Sequence, residues 1–307
     1  MNISYKTKLK NLWLRIVRSR QLYLMVLPGI LAVLIFHYFP LYGVQIAFKN
    51  FRPSLGIWGS QWVGFKHFLK FFKYPYFWDI IKNTIWISVC SLLLFPCSAI
   101  FALMLNEVQN SKIKKICQQI TYAPYFVSVV VLCAMLTLFS NRAGLFNIIT
   151  GLFGAEAVDF LSIPKAFAPL YAISGLWTEL GYGTIIYLAA LSGVSMELVE
   201  AAKLDGATRM GIIRHVYIPH IMPTFITLLI LRMGTLLSVG FEKTFLLQNP
   251  LNKEASNIIA TYVYEVGLLD MNYSYSTAIG LFNCVINIAI IVLANYLSKK
   301  FAKTGLW

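Results

Sequence analysis

Residues 195–220 read SMELVEAAKLDGATRMGIIRHVYIPH. Ser195 is suited to cap a helix, and Glu197 then falls in its first turn, where the helix dipole favours an anion. Ala201 and Ala202 keep this helix slim, while Leu198, Val199 and Leu204 supply apolar surface. Gly206 either ends the helix or lets another backbone approach closely. The chain then turns through Asp205, Gly206 and Ala207 into a second stretch, Met210 to Ile218, which Pro219 is expected to stop. The result is a compact helix–turn–helix shaped to enter a groove on another molecule. The alternative is an ordinary amphipathic loop.

Outward from this stretch the chain is strongly apolar. Of its 307 residues 58% are hydrophobic and 12% charged, with a mean hydropathy of +0.69. Soluble domains carry about 25% charged residues, so there are too few charges here to coat a water-exposed surface. The sequence predicts an all-α polytopic membrane protein with six transmembrane helices, over 22–46, 80–105, 119–140, 166–192, 221–245 and 276–298. Residues 1–21 form a separate basic segment in which Leu9, Leu12, Trp13, Ile16 and Val17 make a helical stripe, as in a helix lying in the membrane interface. The apolar run after it is long and has no small-residue cleavage site, so it reads as an uncleaved first span.

The net charge of +14 then sets orientation rather than binding nucleic acid. Lys112, Lys114 and Lys115, then Lys203, Arg209 and Arg214, and finally Lys299, Lys300 and Lys303 all fall on the side of the N-terminus, which the positive-inside rule makes cytoplasmic. Segment 47–79 runs against the rule with five basic residues. It is also dense in aromatics, and Trp62, Phe65, Phe68, Leu69 and Phe72 are expected on one face of a helix resting at the outer interface. The five cysteines show no metal-ligand spacing, although Cys90 and Cys97 could share a helix face.

No P-loop, zinc-protease, hydrolase-elbow or potassium-filter motif is present, and no internal repeat is visible. His215 and His220 are five apart, off the spacing of a helical metal pair. The sequence therefore predicts neither an enzyme nor a metal centre.

Glu200-Ala201-Ala202, three residues, Gly206, nine residues and Val216-Tyr217-Ile218-Pro219 resemble the EAA motif of permeases of binding-protein-dependent ABC importers; Asp205 and Ala207 also fit. Leu27-Pro28-Gly29, the run Phe39 to Gly43, Ala47-Phe48-Lys49 and Gly56-Ile57-Trp58 resemble the branch that handles complex oligosaccharides. The resemblance implies a type I, MetI-like permease domain over 22–307, with residues 195–220 as the coupling loop and Glu200 to Gly206 as a cytoplasmic coupling helix. It also implies a cytoplasmic ABC ATPase dimer that binds ATP and Mg, so that this chain binds no cofactor. The other implied partners are a second homologous permease, an extracellular solute-binding protein that docks on loop 246–275, and a sugar substrate.

Polar groups within spans are costly and tend to face a cavity. By helical rise Glu179 and Arg232 both fall near the midplane, where they are expected to pair, either beside the sugar or as a structural lock. Trp177, Tyr182 and Tyr187 offer aromatic faces to a sugar in the same span, and Gly181 and Gly183 could loosen it. Glu242 and Lys243 read as a snorkelling pair at the outer end of span five. The competing readings are an ion-coupled secondary transporter using Glu179, an ABC permease for a non-sugar solute, and a membrane scaffold.

Overall fold

The computed structural model describes residues 18–302 and 304–306. Up to residue 17, the amphipathic segment expected over 1–21 lies outside the described residues. The first span starts with α1 (Arg20–Val33) and continues through a π turn, Leu34–Tyr38, and a 3-10 run, Phe39–Phe48. Pro40 has no N–H to donate and its ring crowds the carbonyl one turn back. A wide turn before it and a tight one after it let a membrane helix absorb this without breaking.

Strands β1 (Lys49–Asn50) and β2 (Gln61–Trp62) pair antiparallel, Lys49 opposite Trp62, around the short α2 (Gly56–Gly59). Trp62 is therefore on a strand, not on the expected aromatic helix, because the hairpin stacks it on Phe48 at 5.6 Å. The helix itself is only α3 (Lys66–Phe72). Phe65, Leu69 and Phe72 stay exposed while His67 and Phe71 are buried, so the expected outward face survives in shortened form.

The His67 Nε2–H donates to the Lys49 carbonyl at 3.2 Å, which ties α3 to the hairpin. Burial pulls this imidazole below its ordinary range; the carbonyl works the other way, and Lys66 and Lys70 add to the lowering. As pH falls below about 6.5 the unfolded chain takes up more protons than the folded one, so stability is present above that pH and is lost on acidification. The purified chain is expected to melt lower at about pH 5.5 than at about pH 7.5, and His67→Gln to narrow the difference.

The second span pairs α4 (Phe77–Leu93) with α5 (Cys97–Glu107) across a turn at Pro96, which puts Cys90 and Cys97 on different helices rather than one face. The third differs from the expected continuous 119–140. Helix α6 (Ser111–Tyr122), capped by Asn110, gives way to a 3-10 turn at Ala123–Phe126, and α7 (Val129–Ser140) starts afresh with Ser128 as its cap. Pro124 cannot continue the α-helical ladder, and the Ser128 hydroxyl satisfies the new N-terminus. A short α8 (Leu145–Gly151) follows.

The fourth span, α9 (Pro164–Ser192), is unbroken over 29 residues. Gly181 and Gly183 do not loosen it; they let neighbours close in. A Cβ on Gly181 would lie 2.2 Å from the Thr121 carbonyl oxygen of α6, and one on Gly183 2.8 Å from the Ser98 hydroxyl of α5. The chain then bends by 74° into α10 (Met196–Leu204).

Helix α11 (Arg209–Ile212), a π turn at Ile213–Tyr217 and α12 (Ile218–Met233) form one apolar run. Pro219, the expected stop of the second stretch, does not end it; the run passes through, because the widened turn accommodates a residue without an N–H. The fifth span instead ends at Met233, short of the expected 245. Residues 234–240 are irregular before α13 (Phe241–Leu247). Neighbouring spans satisfy the freed backbone: Asn287 Oδ1 accepts from the Leu237 N–H at 3.1 Å, and the Ser88 hydroxyl donates to the Leu236 carbonyl. Helices α14 (Lys253–Ser256) and α15 (Ile259–Tyr264) lead to the last span, α16 (Tyr273–Ala302).

Among the described residues five helical runs are long and apolar enough to cross a bilayer, and α9 joined to α10 across the bend makes up to six. Three apolar clusters stack along the bundle. Phe71, Ile80, Tyr262 and Ile279 lie at the hairpin end, Ile87, Leu132, Phe167 and Leu247 in the middle, and Ala102, Tyr187, Leu191 and Ile221 toward α10. The fold is an all-α polytopic membrane bundle with α10 set crosswise at one end and the hairpin, α14 and α15 at the other.

Candidate functional site

Two places stand out, joined by the same two helices. The first is the ledge built by α10. The Ser195 hydroxyl accepts from the Glu197 N–H at 3.2 Å, as its place in the sequence suggests. At the other end Gly206 takes a φ of +79°. The Gly206 N–H donates to the Lys203 carbonyl at 3.0 Å and the Ala207 N–H to the Ala202 carbonyl at 2.9 Å, the paired bonds by which a left-handed residue closes a helix. No atom lies within 4 Å of a Cβ at this position. Of the two roles open to Gly206, the backbone one is therefore realised. Thr208 accepts from the Gly211 N–H at 3.2 Å and starts α11 at once.

Val199 and Ile212 alone on α10 and α11 are buried and pin the ledge to the bundle. Glu200, Ala201, Asp205, Gly206 and Pro219 are exposed, and Ala202 and Ala207 half-buried. Leu204 is 90% exposed and Met210 69%. None of Glu197, Glu200 and Asp205 takes part in an ion pair among the described residues. The ledge is thus rigid, capped at both ends, apolar at its tip and uncovered by its own chain.

The second place is a cavity of about 500 Å³ between α4, α5, α7, α9, α12 and α13. Glu179, halfway along α9, and Arg232, in the last turn of α12, both line it. They do not form the expected ion pair. The one ion pair among the described residues is Lys253–Glu265, 3.0 Å apart at the hairpin end. Trp177 and Tyr182 do not line this cavity: Trp177 is exposed, and Tyr182 stacks on Tyr125 with ring centroids 3.8 Å apart. Tyr187 does line it.

Lys243 is the cavity residue that the sequence reading misses. It is not a snorkelling residue paired with Glu242 but a buried part of the wall, because the break at 234–240 sets α13 against α7 and α15 and turns the Lys243 side chain toward Tyr171 of α9. Its Nζ donates to the Tyr171 carbonyl at 2.7 Å and sits 4.3 Å over the Tyr171 ring. The sequence signal that could have found it is the pair Gly234 and Gly240 inside an apolar run, which marks a discontinuous span. No group of three or more His, Cys, Asp or Glu side chains is placed to hold a metal among the described residues.

The geometry has counterparts in known proteins. Residues 95–303 match the family described as the binding-protein-dependent transport system inner membrane component. Over 304 residues the chain is 42% identical to the polygalacturonan/rhamnogalacturonan transport system permease protein YteP of Bacillus subtilis, covering 98% of this chain and 95% of that one. It is 43% identical to protein LplB of the same organism, covering 94% and 92%. Among solved structures it resembles a chain of a bacterial ABC transporter involved in the import of the acidic polysaccharide alginate. There the TM-score is 0.87 and the identity 39%, over 95% of this chain and 99% of that chain. A similar match, also 39% identical with a TM-score of 0.87, is to a bacterial alginate ABC transporter in complex with an alginate pentasaccharide-bound periplasmic protein; it covers 96% of this chain and 99% of that chain.

Proposed function

Because the chain belongs to the family of binding-protein-dependent transport system inner membrane components, we propose the following division of labour. This chain is the membrane-spanning permease of an ABC importer for sugars, of the class that takes oligosaccharides. It is not itself catalytic. A cytoplasmic ATPase dimer binds ATP and Mg and performs the hydrolysis, a second homologous permease completes the pore, and an extracellular binding protein brings the sugar to the hairpin end. Both termini and the α10 ledge face the cytoplasm, where Lys112, Lys114, Lys115, Lys203, Arg209, Arg214, Lys299 and Lys300 gather.

The observation that carries this reading is the connectivity of the ledge. Helix α10 leaves α9 through residues 193–195 and enters the Arg209–Met233 run through residues 205–208. Those two helices carry Glu179 and Arg232 into the cavity. A push on a capped, stiff α10 therefore moves both cavity walls at once. Glu200, Ala201 and Ala202 present the slim side of the ledge, Asp205 to Ala207 hold its closing turn, and Pro219 sits where the π turn hands over to α12. When the ATPases close on ATP and open after hydrolysis, the ledge moves with them and exposes the cavity to alternate sides.

The test is uptake by proteoliposomes holding this chain with its second permease, ATPase and binding protein. Uptake of an oligosaccharide is expected to need ATP and the binding protein together. Uptake that persists without ATP and follows an ion gradient would replace this reading with the ion-coupled carrier using Glu179.

A further inference from the structure

The stretch from Lys49 to Lys73 holds five basic residues and no Asp or Glu, at the end of the bundle where the positive-inside rule gives cations no reason to gather. Helix α3 sorts its side chains into three stripes. His67 and Phe71 are buried against the bundle, while Phe65, Leu69 and Phe72 are exposed. Lys66, Lys70 and Lys73 recur at the same i, i+4, i+7 spacing and are exposed as well. An offset of one residue turns a stripe by about 100°, so the basic stripe runs beside the apolar one. Neither Lys66 nor Lys73 takes part in an ion pair among the described residues. The last span shows the depth of each stripe. The Lys70 Nζ sits 4.5 Å over the Tyr275 ring, in the first turn of α16. The Phe72 ring instead packs 5.5 Å from that of Phe282, about 10 Å further along the same helix. Since α16 is long and apolar enough to cross a bilayer, the lysine reaches back toward the membrane surface while the neighbouring phenylalanine points into the apolar layer.

From these observations we infer that the outward face of α3 is a seat for anionic phospholipid, with headgroup phosphates on Lys66 and Lys73 and acyl chains against Phe65, Leu69 and Phe72. The inference rests on the membrane fold and holds whatever solute the chain carries. Phosphate oxygens accept the lysine N–H groups through charge-assisted bonds, and each cation held near an anionic surface adds an attraction that salt weakens. The exposed Trp58 and Trp62 of the adjoining hairpin are the side chains that favour the headgroup layer. The competing occupant is another protein chain. It would have to bring carboxylates to the lysines and apolar surface to the neighbouring stripe. A lipid leaflet supplies phosphate and then hydrocarbon in the order of depth that Lys70 and Phe72 mark along α16. The hairpin follows directly on the first span, whose helix α1 buries no residue, so lipid held here also tethers the end of that span.

The test places a photo-reactive side chain on the apolar stripe, as Leu69→p-benzoylphenylalanine and, in a second chain, Phe65→p-benzoylphenylalanine; both positions are exposed, so folding should not suffer. The full chain with its co-purifying subunits is held in nanodiscs of phosphatidylcholine with a minority of phosphatidylglycerol and irradiated, and its adducts are identified by mass. Lipid adducts are expected, with phosphatidylglycerol enriched at least about fivefold over its share of the bilayer. Adding Lys66→Gln and Lys73→Gln should return the ratio to that of the bilayer, and Lys66→Arg with Lys73→Arg should keep the enrichment. Raising the salt to about 0.5 M should reduce it. Lipid adducts in the bulk ratio, or an enrichment that survives both glutamines, overturn the anionic seat. Adducts to another subunit, or none to lipid from either position, overturn the lipid as occupant.

Discussion

A Gly206→Val chain will reach the membrane and fold, but it will hold its ATPase poorly and its transport will drop below about a tenth of wild type. At φ +79° a β-branched residue pays roughly 1–2 kcal/mol or more for the left-handed conformation. The cheapest relief is to unwind the end of α10. That breaks the two closing bonds to Lys203 and Ala202 and displaces Leu204 and Asp205 from the tip of the ledge. No neighbour touches a Cβ here, so the bundle itself has no reason to suffer. Each 1.4 kcal/mol lost at the docking surface is a factor of about ten in affinity. Gly206→Asn, which tolerates the same backbone region, should keep most of the binding. The ratio of ATPase to permease after purification, with uptake beside it, checks both. Equal losses from valine and asparagine would mean that the exposed surface matters at this point, not the turn.

The second large effect lies inside the bundle. Gly181→Ala puts a methyl 2.2 Å from the Thr121 carbonyl oxygen and 2.5 Å from its carbon. Both are backbone atoms, so α6 must move away from α9 as a body, and overpacking of that kind costs about 3 kcal/mol or more. Gly183→Ala meets the Ser98 hydroxyl at 2.8 Å, the end of a side chain that can rotate aside, and should cost about 1 kcal/mol. In thermal unfolding of the detergent-purified chain, the first is expected to lower the midpoint by roughly 5–10 °C and the second by about 2–4 °C. Similar shifts for the two would show that α6 and α9 yield more easily than their spacing implies.

The parts of this molecule governed by local chemistry are legible in the chain itself. Long apolar runs mark spans whatever their neighbours do, and Ser195 and Gly206 bound α10 through their own backbone preferences. What escapes depends on residues far apart in sequence. The irregular stretch 234–240 is tolerable only because Ser88 and Asn287 answer its backbone, and a hydropathy window averages across it. With the break unseen, Lys243 falls at the outer end of a straight helix and loses its place in the cavity. The spacing of Trp62 to Phe65 and Phe68 suits a helix, whereas its pairing with Lys49 across β1 and β2 decides otherwise. Helical rise sets Glu179 and Arg232 at one depth, and both do line one cavity, but rise alone says nothing of the gap between their tips.

Helix α1 buries none of its residues in the described structure, and the Arg20–Phe48 run is long and apolar enough to cross a bilayer by itself. For biosynthesis this means that the Arg20–Val33 stretch has no surface of its own chain to wait for. Its partition into lipid is decided by apolarity alone, before any later helix exists. It can enter lipid early and help fix the direction in which the next segments thread, while Phe39–Phe48 is left to pack against α16 once that last span arrives.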